Sequence, residues 1–481
     1  MRLKLNALIV ALFCAAIIPI FSINASADGE APEPAFYDLP NCVDTVKVGI
    51  NFNKSAVEEA AFQREGGSGF VFGYYDITRN FRALSSTSSS SITVCSSGNN
   101  GGYYIVLSDV FNDDATANSV AKSIAGYTIS DNSGYRVCVG NYSSKEKAEK
   151  ALAKKGFSGE VRGNTESSFV VKDTNTGNVL YSFNGNDIRK LAIMPAEDSR
   201  GVSVYNENAY RGAFEFSSSG SGICVVNYLS LEDYTQGVMP YEMLSYWPAE
   251  ALKAQAVCAR TYAINNINDY SDYGFDVTND TYSQMYKGIT DTNAATDAAA
   301  IDTWGQLVRY RGMVCKVYYM AADGGATESG ENVFAESRPY LKAVIDDYES
   351  SVNTYANGWK EAYNTDRIAS KLSVNGYDMG EVTWIEPTYS DAGNVIALTV
   401  TDKNGNVITL RNEECYQVFS LDSLRYNITK DTDDGVTFVF TGDGSGHNCG
   451  LSQYGACAMA KNFGFNCGGI INFYFTGAYV A

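Results

Sequence analysis

The sequence predicts an α+β protein, a mixed strand and helix domain with a small β-α-β-β-α-β module of ferredoxin-like pattern. Three observations predict it. Short alternating apolar runs bounded by turn residues recur along the chain, one alanine-rich stretch has helical spacing, and strand-like and helix-like segments interleave near residues 103–162.

From the start, Arg2 and Lys4 precede an apolar stretch from Leu8 to Ile18, and Ala25-Ser26-Ala27 supplies a small-x-small cleavage pattern. Residues 1–27 are therefore expected to be a signal peptide cleaved after Ala27, with an uncleaved anchor as the other reading. The protein is expected to be exported to the cell wall or to the outer face of the membrane. Residues 28–102 read as an N-terminal tether, short strands and a Ser-rich linker. Val46–Ile50 and Phe70–Tyr74 alternate as strands do, and Ser85–Ser91 with Ser96–Gly102 has linker composition.

In residues 103–162, Tyr103–Leu107 and Tyr135–Gly140 read as strands, and Ala115–Ile124 has helical spacing. Ser143 and Ser144 can cap a second helix carrying Ala148, Leu152 and Ala153 on one side. In the remaining unit, 163–481, strands and turns run up to Tyr228. The stretch AEALKAQAVCARTYAINNI then follows Pro248, a natural first-turn residue, as a helix. Val382–Leu410 reads as strands joined by tight turns, with Asn404-Gly405 a strong hairpin signal, and a last helix is expected near Ser452–Asn462.

Composition narrows the partners. A formal charge of −19 argues against nucleic acid and against anionic membranes, because a polyanion needs a basic surface. The 34 tyrosines suit the faces of sugars or simply mark an extracellular surface. Eleven cysteines, one of them in the signal segment, leave ten that could form disulfides outside the cell. Their pairing is not readable from sequence.

Five ordered blocks carry a resemblance. Glu242 sits in VMPYEM and is followed by WPAEALKAQAVCARTY. Then come SQMYKG around Gln284 and Tyr286, GGATE ending at Glu328 with PYLKAV after it, and GHNCGLSQYGA containing His447, Gln453 and Tyr454. Over roughly residues 200–481 the chain resembles the SpoIID/LytB family. YRVCVGNYSSKEKAEKAL resembles the SPOR domain, a binder of glycan strands stripped of stem peptides, although a generic ferredoxin-like module fits the same pattern.

The resemblance implies a lytic transglycosylase acting on peptide-free peptidoglycan glycans, with Glu242 as the single general acid and base. Its apolar neighbours (Met239, Pro240, Met243, Leu244, Trp247) could hold that carboxyl protonated. The plain alternative is a Glu placed just before a helix for its dipole. Arg260, Gln284, Tyr286, Glu328, His447, Gln453 and Tyr454 are expected to bind substrate, with a structural ion pair open for Arg260. No cofactor and no metal are expected. Ser283 stands where some relatives carry a zinc-binding Cys, and Asn448-Cys449 departs from the usual pair after the histidine. Two further readings are a non-catalytic enhancer of a cell-wall amidase and a glycan-binding scaffold.

Overall fold

Two packed sheets form the first half of the molecule. In the computed structural model one sheet has seven strands, in the order Val277–Thr278, Thr45–Asn51, Gly222–Ser230, Ala213–Ser219, Ala192–Pro195, Phe70–Tyr75 and Phe81–Thr87. The other has six, in the order Val179–Asn184, Ser168–Asp173, Ser91–Ser96, Glu59–Arg64, Ser203–Tyr205 and Asn208–Tyr210. Alternating apolar residues put Phe62, Phe72, Phe169, Phe214 and Phe216 between them, all fully buried. The structure describes residues 44–67, 69–76, 78–97, 102–124, 126–131, 134–163, 167–185, 189–196, 201–220, 222–432 and 436–481. The expected signal peptide and the start of the tether lie outside these residues, and no described helix is long and apolar enough to cross a membrane.

The fold class is the expected α+β, but two boundaries differ. The Ser/Thr tract is not a linker, since Phe81–Thr87 and Ser91–Ser96 are both strands. Ser86 is exposed, Ser91 and Ser96 are half-buried and Ser85 is buried, while Leu84, Ile92 and Val94 supply the apolar face. Linker composition misleads here because alternation can be carried by few apolar residues. Nor do residues 28–102 stand apart from 163–481. Strand Ser91–Ser96 pairs directly with Ser168–Asp173, and Thr45–Asn51 pairs with Gly222–Ser230.

The β-α-β-β-α-β module is therefore an insertion between two neighbouring strands. Its elements are Tyr103–Leu107, Asp114–Ser123, Tyr127–Asp131, Gly134–Tyr142, Lys145–Lys155 and Gly159–Gly163, in one antiparallel sheet. Asp113 and Ser144 cap its helices by accepting from Thr116 N and Lys147 N. One face of its sheet packs on the helices. The other carries Tyr104, Val106, Tyr127 and Cys138, and it meets the Val179–Asn184 strand, where Asn184 donates to the Tyr104 hydroxyl at 2.7 Å.

A second core surrounds the helix Ala249–Asn265, whose many alanines allow close approach on several sides. Packed against it are the helices Leu231–Glu242, Ala294–Asp302, Gln453–Phe463 and Cys467–Tyr474. The expected strands of 382–410 form a three-stranded sheet, Val382–Tyr389, Val395–Asp402 and Val407–Arg411.

Candidate active site around Glu242

The strand Gly222–Ser230 runs without a loop into the helix Leu231–Glu242. Ser230 caps it by accepting from Asp233 N at 3.0 Å. Pro240 lies inside this helix and removes one of its hydrogen bonds, and the helix stops two residues later. Gly237 is required by a close approach, because a Cβ there would strike the Tyr286 ring and the Gly288 carbonyl. The loop carrying Gln284–Gly288 is thereby seated directly on the helix. Glu242 ends the helix rather than preceding one, so the negative end of the dipole faces its carboxyl and favours the protonated form.

Glu242 is half-buried, and burial raises its pKa above the ordinary 4.5. Three donors moderate that rise: the Tyr319 hydroxyl, the Gln453 side-chain amide (3.3 Å to Oε2) and the backbone N–H of Met285. Tyr319 is oriented by a relay, in which the Tyr234 hydroxyl donates to Gln284 Oε1 at 3.2 Å and Gln284 Nε2 donates to the Tyr319 oxygen at 2.9 Å. That oxygen's own proton is thus directed at Glu242. Gln453 Nε2 also reaches Gln255 Oε1 at 3.4 Å. The groups around this carboxyl are neutral donors, so they can hold it while it loses and regains a proton.

The other expected site residues divide by position. Gln453 touches Glu242 and Tyr454 lies on the rim beside it. Gln284 is 1 % exposed and acts through Tyr319. Arg260 is fully buried. Its fork pairs with Glu232 at 2.8 and 2.7 Å, and two further N–H groups donate to the Ala300 and Gln306 carbonyls. It makes the structural ion pair, buried away from any groove. Tyr286 is also fully buried and donates to Asn227 Oδ1 at 2.7 Å. Glu328, 1 % exposed, accepts from Ser329 N, Asn332 Nδ2 and Ser390 Oγ and ties loops together. Tyr286 and Glu328 were expected in the groove and lie in the interior instead, as does Arg260 in the ion-pair alternative, because family blocks mark packing positions as well as chemistry.

His447 sits behind the site, edge-on to Tyr318 and Phe334, with Nδ1 accepting from Cys449 N at 3.1 Å. Burial pushes its pKa down to about 4, so the ring is neutral at neutral pH, and it hydrogen-bonds the Tyr319 backbone. It holds the strand that presents Tyr319. Sequence reasoning missed Tyr319 altogether, since nothing in VYYM marks it. Gln255 was inside the quoted AEALKAQAV block and its place on the buried helix face was the available signal.

Behind Gln453 lies a knot of three carboxylates, Asp323, Asp346 and Glu349, whose oxygens come within 4.8 Å of one another and which are at most 1 % exposed. Glu349 accepts from Asp323 N, Gly324 N and Ser452 Oγ, and Asp346 accepts from Tyr348 N, Glu349 N and the Tyr474 hydroxyl. Burial and the neighbouring charges of Glu349 and Asp346 push the Asp323 carboxyl well above the usual carboxylate range. Ser452 also caps the helix that begins at Gln453, so the knot fixes the residue that meets Glu242.

A single carboxyl whose pKa burial raises, met by neutral donors at the end of a helix, has the features that proton transfer uses. A family model described as stage II sporulation protein matches residues 219–310, which contain Glu242 and its helix. An uncharacterized protein of Brachyspira hyodysenteriae is 34% identical over 253 residues, 52% of this chain and 67% of the relative. Stage II sporulation protein D of Bacillus subtilis is 27% identical over 310 residues, 59% of this chain and 86% of the relative. The amidase enhancer of the same organism is 29% identical over 290 residues, 50% of this chain and 39% of the relative. The chain belongs to the SpoIID/LytB family.

Proposed function

We propose that this protein is an exported lytic transglycosylase that cuts MurNAc–GlcNAc bonds in peptide-free peptidoglycan strands. The observation that carries the reading is the raised pKa of Glu242 in a shell of neutral donors. Among the described residues, no second carboxylate is among the groups that set it. A hydrolase of ordinary design needs a second carboxylate as base or nucleophile. A transglycosylase needs one. Glu242 gives its proton to the bridging oxygen as the bond to the MurNAc C1 breaks. The resulting carboxylate then accepts the proton of that sugar's 6-hydroxyl as its oxygen bonds to C1. The products are a GlcNAc 4-hydroxyl and a 1,6-anhydro-MurNAc end, with no water consumed and Glu242 protonated again. Tyr319 and Gln453 stabilise the transient carboxylate. The inserted β-α-β-β-α-β module is proposed to bind the same denuded glycans as a SPOR domain does.

The test is to incubate the mature protein with amidase-treated, peptide-free strands and analyse the products by mass spectrometry. Anhydro ends that disappear in Glu242→Gln support the reading, and reducing ends would replace it with hydrolysis. The similarity to a protein named an amidase enhancer favours a second reading, in which this chain stimulates a cell-wall amidase without cutting glycans. Stimulation of an added amidase by the Glu242→Gln protein, with no glycan cleavage by the parent, would establish that one.

A further inference from the structure

The strand residues Lys47, Glu215 and Tyr228 alternate with the core residues Val48, Phe216 and Leu229, so they stand on the face of the seven-stranded sheet turned away from the second sheet. There, with Tyr75, Arg79 and Lys190, they line a cavity of about 290 Å³. Lys47 Nζ lies 3.0 Å and Lys190 Nζ 3.8 Å from the same Glu215 oxygen, so two ammonium groups share one carboxylate, itself 4% exposed. The third cation, Arg79, donates to the Thr45 carbonyl at 3.0 Å and stands 3.6 Å from Asp276. Asp276 is already met by the backbone N–H groups of Lys47 and Asn268, and Asp76 on the same wall is balanced by Arg82. Three cations against Glu215 and Asp276 leave one positive charge in excess, in a chain whose formal charge is −19. The place of one cation is built in. A Cβ at Gly274 would collide with the Lys190 ammonium, and the φ of +85° there suits glycine, so the loop is shaped around that group. The cavity is separate from the acid, since the twelve-residue helix Leu231–Glu242, about 18 Å long, lies between Tyr228 and Glu242.

We propose that this cavity binds a single organic carboxylate, gripped by the Lys190 ammonium with Arg79 across from it. Among the described residues that ammonium meets only Glu215, at 3.8 Å, beyond hydrogen-bond length, and so keeps its donors for a ligand. The stem of the ligand lies against the Tyr75 and Tyr228 rings, which stack with centroids 3.7 Å apart. An excess of one charge suits a monoanion. A phosphate monoester carries about two negative charges at neutral pH and would set the second against Glu215 and Asp276. In peptidoglycan a free carboxylate has two sources, the lactyl group of a MurNAc that has lost its stem peptide and the C-terminus of the freed peptide. The first source rests on the glycan-cleaving reading above, and it would hold a denuded strand at a point remote from the scissile bond.

The experiment is calorimetric titration of the full-length Glu242→Gln protein with four probes: the disaccharide GlcNAc–MurNAc with its lactyl group as free acid or as amide, the freed stem peptide as C-terminal acid or amide, and inorganic phosphate and acetate alone. One of the acids is expected to bind about tenfold or more tightly than its amide, the worth of one hydrogen bond to a charged group. Lys190→Gln should erase that advantage and Lys190→Arg restore it, with melting temperatures unchanged because the side chain is partly exposed. The acid that shows the advantage identifies the source. Equal binding of acid and amide in both pairs overturns the site, as does an advantage that survives Lys190→Gln, or phosphate binding more tightly than acetate. Failure here and failure of the cleaving reading are distinguishable. Lys190-dependent binding, when the parent releases no anhydro ends, keeps the cavity and removes that reading, and anhydro ends without any carboxylate advantage do the reverse.

Discussion

Glu242 and the Asp323–Asp346–Glu349 knot are linked through the adjacent residues Gln453 and Ser452, yet they are opposite in design. In the knot almost every oxygen is met by a fixed backbone N–H or a hydroxyl, and all three carboxylates are closed off in the interior. Around Glu242 the donors are two side-chain groups and one N–H, and the residue remains half-buried. Burial alone raises a carboxyl pKa in both places. What separates a chemical site from a structural one is the unsaturated, accessible side.

The comparison can be broken from either end. The largest effect is expected for Glu242→Gln: release of anhydro ends should fall by about 10²–10⁴-fold, the usual worth of a general acid. Its folded pKa is raised, so in the parent the contribution of Glu242 to stability is full below the unfolded value and is lost as pH climbs through the folded one. Glu242→Gln should therefore melt no lower than the parent at neutral pH, which calorimetry checks. Next, Glu349→Ala strips the acceptor from two backbone N–H groups and the Ser452 hydroxyl, and it should cost roughly 3–5 kcal/mol in denaturant unfolding.

Smaller but more diagnostic is Tyr319→Phe. It removes a donor that holds the Glu242 pKa down, so the loss of activity on the alkaline side should shift to higher pH. The maximal rate should fall by about tenfold to a hundredfold, the range of one hydrogen bond to a charged group. A pH–rate profile separates the two effects. The smallest effect is Asp323→Asn. Asp323 has a raised folded pKa, so the parent loses stability as pH rises above the unfolded carboxylate value. The amide cannot ionise, and melting temperature should depend less on pH between the mildly acidic and neutral ranges. An unchanged slope would mean that the Asp323 pKa is not raised.

Much of this was legible in sequence. The helix after Pro248, the hairpins of 382–410 and the inserted β-α-β-β-α-β pattern all follow from local spacing. The helix bearing Glu242 was hidden because Pro240 and Gly237, two poor helix formers, are tolerated there for reasons of packing against a distant loop. Arg260, Tyr286 and Glu328 drew attention by standing in motif blocks, and their roles depend on Glu232, Asn227 and Ser390, partners far away in sequence. Tyr319 has no local signature at all. Its importance arises from where a two-residue strand meets Leu451–Ser452.

The inserted module has a consequence for assembly. Ser96 and Phe169 face each other across the two strands that flank it, although the chain between them is long enough to form a complete unit. If that unit condenses first, its ends already lie close together and the host sheet need close only a short gap instead of a long loop, which lowers the entropic cost of pairing. The module then behaves as a cassette whose removal and replacement by a short turn should leave the host able to fold, and the order of synthesis favours the insert maturing before the second of its two host strands emerges.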